Sequence, residues 1–154
     1  MRKALRMLLF LSMVLFAAES YAFNCGVSTT PVYFVNYDVF SLSPAYSTGI
    51  VAVSCNAPPQ NPLAVTISIN SGGSGTFNPR QMMAATGSDR LNYFLFTDAS
   101  RTVIWGDGTG GTSTVTNMVT KNVPWNATIF GMLPPRQNLS AGNYSDTLLV
   151  TVNW

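Results

Sequence analysis

The chain has 154 residues, with eight Lys and Arg against six Asp and Glu, no His, and two Cys. Residues 23–154 keep five bases (Arg80, Arg90, Arg101, Lys121, Arg136) and five acids (Asp38, Asp89, Asp98, Asp107, Asp146), a net charge of zero. That balance excludes long-range attraction of nucleic acid or anionic lipid; with no His and Glu19 the only glutamate, the usual general base, zinc ligand and paired-glutamate chemistry are also missing.

Arg2, Lys3 and Arg6 form a basic head, residues 7–18 an apolar run, and Ser20-Tyr21-Ala22 a small-x-small exit. This is the pattern of a secretory signal peptide, 1–22, cleaved after Ala22. A spanning helix needs roughly 20 apolar residues, and Glu19 interrupts this run, so no stable membrane insertion is expected after cleavage. Residues 23–154 then form one domain, with no linker, charge run or repeat to divide them. Cys25 and Cys55, both exported, are expected to form a disulfide closing a loop of about 30 residues.

Beyond the leader, strand signals dominate. Residues 32–40 are aromatic and β-branched. Residues 49–55 form a second run, and Leu63, Val65, Ile67 and Ile69 alternate with small or polar residues in a third. Residues 91–96 and 103–105 follow, then the Thr- and Val-rich stretch 115–123, then 127–130. Residues 78–88 fit either a helical turn or a loop. In the last run Tyr144, Leu148, Val150, Val152 and Trp154 share one face, with Asp146 as the exception. About seven short strands separated by turn signals predict an all-β sandwich.

Gly106, Gly108 and Gly111 satisfy G-x-G-x-x-G, but strand-formers follow where a dinucleotide site needs a helix, so a turn is expected. No G-x-S-x-G or calcium-loop pattern occurs, and an enzyme is not expected; nor is any cofactor or metal. Asn126, Asn138 and Asn143 head glycosylation-like triplets of the kind an Asn/Ser/Thr-rich chain produces by chance. Trp105, Trp125 and Trp154 suit core or interface packing better than sugar stacking.

Asn24-Cys25-Gly26-Val27 with Phe34 and Tyr37 resembles the opening of spore coat protein U domains, the family of archaic chaperone–usher pilin subunits. So do residues 47–55, Arg80 and Met82 before Leu91-Asn92-Tyr93-Phe94-Leu95-Phe96-Thr97-Asp98, and Trp105-Gly106-Asp107-Gly108. The match continues through residues 130–137 and 141–147 into the final strand. The resemblance implies an immunoglobulin-like β-sandwich that is incomplete, its last strand supplied in trans. It further implies a periplasmic pilus chaperone, an outer-membrane usher and neighbouring pilin subunits as partners, and a path through the periplasm to the cell surface. The function expected from it is that of a secreted structural subunit of a pilus or surface coat, assembled by donor-strand complementation and serving adhesion and biofilm formation.

The chain stops at Trp154, at the end of an apolar strand, so Tyr144, Leu148, Val150, Val152 and Trp154 are expected to face the core and border the acceptor groove. With only Phe23 and Asn24 ahead of Cys25, this copy is expected to accept a strand but not to give one. The alternative is a self-contained secreted module binding carbohydrate or a surface through Trp105, Trp125 or exposed Tyr.

Overall fold

The computed structural model describes residues 23–56 and 61–154; the expected leader, 1–22, lies outside them. Nine strands are described: β1 (Asn24–Thr30), β2 (Ala45–Asn56), β3 (Leu63–Ile69), β4 (Arg80–Ala84), β5 (Arg90–Phe96), β6 (Val115–Val119), β7 (Trp125–Leu133), β8 (Tyr144–Ser145) and β9 (Val150–Asn153). They form a six-stranded sheet in the order β1-β2-β7-β5-β4-β8 and a three-stranded sheet in the order β6-β3-β9. Every pairing between these strands is antiparallel.

Alternation of apolar residues decides which faces meet, because successive side chains on a strand point to opposite sides. Val51, Val53 and Cys55 of β2, Leu91, Tyr93 and Leu95 of β5, and Ala127, Ile129 and Leu133 of β7 point inward. Leu63, Val65, Ile67 and Ile69 of β3 are buried with them in one core. The two layers form the sandwich that the strand count implied. Cys25 and Cys55 sit opposite each other across β1 and β2 and are disulfide-bonded, tying an edge strand to its neighbour.

Local assignments differ in several places. Residues 32–40 are not a strand: the run alternates as a strand does, yet it has no ladder partner among the described residues. The strand that opens the sheet is instead β1, whose small and polar residues gave little signal. Residues 78–88, read as turn or loop, contain β4. Residues 103–105 make only isolated bridges, Phe96 to Ile104 and Trp105 to Ser113.

The final run is broken in two. β8 pairs with β4 in the large sheet and β9 with β3 in the small one, so the chain changes sheets between residues 146 and 149. Asp146 sits at that crossing. Its Oδ2 accepts from the Tyr93 hydroxyl at 2.6 Å, and its Oδ1 accepts from the Gly73 and Thr147 amides at 2.9 Å each. A polar residue interrupting the apolar face thus marks the point where the strand leaves one sheet for the other.

Candidate functional site

Two borders of the sandwich face each other with no ladder between them among the described residues. The first is β1 continued by residues 31–40; the second is β8, the crossing and β9. β1 and β9 are edge strands, each paired on one side only among the described residues. On β1, Cys25, Val27 and Thr29 share the inward face, yet only Cys25 is buried, and Val27 is 44% exposed. An inward-facing valine left that open means the sandwich has no cover there.

The gap is a continuous seam. Its wide half, a cavity of about 850 Å³, lies between residues 32–40 and residues 139–146. Its narrow half, about 210 Å³, runs between Thr29, Thr30, Pro31 and Val32 on one side and Leu148 and Val150 on the other. Val32, Phe34, Met82 and Asp146 line both halves. The floor is apolar: Leu91 and Leu133 under the wide part, Tyr93, Leu95 and Ile129 under the narrow part.

Several contacts hold the first border in place although it lacks a ladder. Ser47 Oγ donates to the Tyr33 carbonyl at 2.6 Å, and the Tyr37 hydroxyl donates to the Pro134 carbonyl at 2.7 Å while accepting from the Gln137 amide at 2.9 Å. Gly131 sits in the inward row of β7 between Ile129 and Leu133. A Cβ there would lie 2.5 Å from Val32 Cγ1 and 2.8 Å from Phe34 Cζ, so the missing side chain is the seat that those two residues occupy.

Beneath the crossing is a polar cluster. Arg80 is fully buried; its Nη2 donates to the carbonyls of Asn70 and Trp105 at 2.8 Å each, and its Nε to Asn70 at 3.1 Å. Burial lowers the guanidinium pKa from its ordinary value, opposed by the nearby Tyr93, Asp146 and Asp107. Burial and then the Asp146 hydrogen bond and charge push the Tyr93 hydroxyl well above the ordinary tyrosine range. The Tyr93 hydroxyl therefore keeps its proton through neutral pH, and the cluster ties the floor of the seam to the second border.

Of the expected groove residues, Tyr144, Leu148, Val150 and Val152 are half-buried and pack on the core, and the first three line the seam. Trp154 is 53% exposed, and its ring meets Phe23 edge-on with centroids 6.0 Å apart. Sequence reasoning did not pick out the opposite border, Val32, Phe34 and Tyr37, as a wall of the seam, nor Gly131 as its seat. Their alternation was visible, but it was read as an ordinary strand.

Other sequence candidates are placed elsewhere. Trp105 is fully buried with Nε1 donating to the Ile67 carbonyl at 3.2 Å, so it cannot stack on a sugar, and Trp125 is half-buried. The glycine-rich loop leads to Ser113 and then β6, not to a helix. No helix among the described residues is long and apolar enough to cross a membrane.

A family model described as the Spore Coat Protein U domain matches residues 12–151. "Protein U" of Myxococcus xanthus is 32% identical over 75 residues, 49% of this chain and 40% of the relative. Among solved structures, the CsuC–CsuE chaperone–tip adhesion subunit pre-assembly complex from the archaic chaperone-usher Csu pili of Acinetobacter baumannii contains a similar chain. That chain has a TM-score of 0.58 and 24% identity, with 86% of the present chain and 40% of the other covered. The E. coli Hda pilus minor tip subunit HdaB gives a TM-score of 0.43 at 10% identity, covering 82% and 79% of the two chains. The chain therefore spans 40% of the length of the curated relative and of the Csu chain.

Proposed function

The chain belongs to the spore coat protein U domain family, whose members are structural and not enzymatic, and we propose that it is a subunit of a chaperone–usher pilus or surface coat, completed by a strand from another polypeptide. The observation that carries this reading is the seam: an apolar floor between two borders with free backbone edges. An extended segment laid there would satisfy the edges by main-chain hydrogen bonds and set alternate side chains on the floor, which is β-augmentation. Left open, the same edges invite aggregation, so a periplasmic chaperone would cover the seam before an outer-membrane usher hands the subunit to its neighbour.

On this reading residues 1–22 are removed on export and residues 23–154 pass through the periplasm to the cell surface, where the assembled fibre or coat serves adhesion and biofilm formation. Tyr144, Leu148 and Val150 act as the acceptor wall facing Val32, Phe34 and Tyr37. Co-expression with a periplasmic pilus chaperone tests it: a one-to-one complex should copurify, and the domain without the chaperone should be recovered poorly. A soluble, highly stable monomer obtained alone, with no complex formed, would overturn the reading.

A further inference from the structure

Resting on that acceptor reading, a question of register arises. An apolar floor flanked by free edges selects an alternating segment but not its position, because a slip of two residues returns every side chain to the same face. Something aperiodic must fix where the inserted strand stops. The two ends of the seam differ in a way that supplies it.

At the narrow end the borders converge. Phe23 immediately precedes β1 and Trp154 immediately follows β9, and their rings touch edge to face. The pair stands across the path of a strand running between β1 and β9. Two charged side chains line the seam: Asp146, where the halves join and with both oxygens already accepting hydrogen bonds, and Asp38, in the wide half alone. Asp38 is exposed, and one of its oxygens accepts from the Phe40 amide at 2.9 Å. No Lys or Arg lines either half, so the occupant's outer end meets the Asp38 carboxylate and no cation.

We infer that the seam sets the register of its occupant from both ends: the Phe23–Trp154 ring pair stops the inner end, and the Asp38 carboxylate of the wide half holds a basic side chain at the outer end. The occupant is then an extended segment of another polypeptide whose reach into the seam is limited by the ring pair. It has aliphatic residues at alternate positions and a Lys or Arg near the end that remains outside.

The probe is a synthetic peptide of alternating Val and Thr with one Lys at its outer end, lengthened one residue at a time at the inner end. The domain is refolded with each peptide and the thermal midpoint recorded. For the unaltered protein the midpoint should climb with length and then level once the inner end reaches the ring pair. Trp154→Ala and Phe23→Ala should each move that plateau outward by two or three residues, and Trp154→Phe should leave it in place. Replacing the peptide's Lys with Glu should weaken binding about fivefold or more, and Asp38→Asn should reduce that difference, as should added salt. If peptides bind but every variant shows the same plateau, or Lys and Glu peptides bind alike, register control is overturned while the acceptor reading stands. If no peptide of any length raises the midpoint, the acceptor reading itself fails.

Discussion

Arg80 is fully buried, and its guanidinium supplies hydrogen bonds to carbonyls at the end of β3 and at Trp105, with Nη1 left without a partner. Removing it leaves several buried acceptors unsatisfied as well as a void. Arg80→Ala should therefore lower the free energy of unfolding by about 3 kcal/mol or more. Arg80→Lys, which keeps the charge but not the planar fork, should recover only part of it. Urea midpoints of the three proteins check both expectations. Tyr93 gives the pH dependence. Its folded pKa is raised above the ordinary value of 10.0 by burial and by Asp146, so its contribution is complete below about pH 10 and is lost as pH climbs beyond it. On the acid side, hydrogen bonds from Ser100 and from the Val103 and Thr102 amides hold Asp98 well below the usual carboxylate range, so its contribution is present above about pH 4 and fades as pH falls. Between these limits the chain has no His and, among the described residues, no free Cys. Denaturant midpoints should be level from about pH 5 to 9 and fall on both sides. Tyr93→Phe should weaken the alkaline fall and cost about 1 kcal/mol at neutral pH through the lost bond to Asp146.

At the scale of elements, Gly131 and the disulfide each hold part of the seam's first border. The disulfide closes a separation of 30 residues and fastens β1 to β2; the double change Cys25→Ser and Cys55→Ser should cost about 3–4 kcal/mol by the chain-entropy relation. Gly131→Ala would force Val32 and Phe34 off β7, because the new Cβ would stand 2.5 Å from Val32 Cγ1. Overpacking of this kind should cost roughly 1–3 kcal/mol, and on the proposed function it should also weaken chaperone capture, measured as yield of copurified complex. These elements also show what was legible in the sequence. β3 announced itself because all its inward residues are aliphatic and fully covered. β1 did not, since six of its seven residues lie in the open and carry no burial pattern. Residues 32–40 carried the reverse signal: alternation was plain, but a strand also needs a partner, and nothing in the composition of a segment states whether one runs beside it. Asp146 read as a flaw in an apolar face because the change of sheet it marks depends on Tyr93 and Gly73, distant in the chain.

For the whole molecule, what matters is how much inward-facing surface the two layers leave uncovered. Val27, Val32, Phe34, Tyr37, Tyr144, Leu148 and Val150 point toward the core side and none is fully buried. Residues 23–154 carry no net charge to keep copies apart. Exposed edges, apolar floor and neutrality together favour self-association of the lone domain. Supplying the cover within the same polypeptide should reverse this. β9 runs toward Trp154 with its outer edge free, so an alternating Val/Thr strand appended after Trp154 through a two-residue Asn-Gly turn would fold back beside β9 as a hairpin. Covering about four apolar side chains at roughly 1.5 kcal/mol each gives on the order of 6 kcal/mol before the ordering of the new strand is subtracted. Half that surviving would raise the thermal midpoint by about 10 °C in a domain of this size. Sedimentation velocity should then show a monomer where the unextended domain associates with concentration. A control strand with the alternation shifted by one residue, which turns its polar side to the floor, should give neither the rise in midpoint nor the monomer.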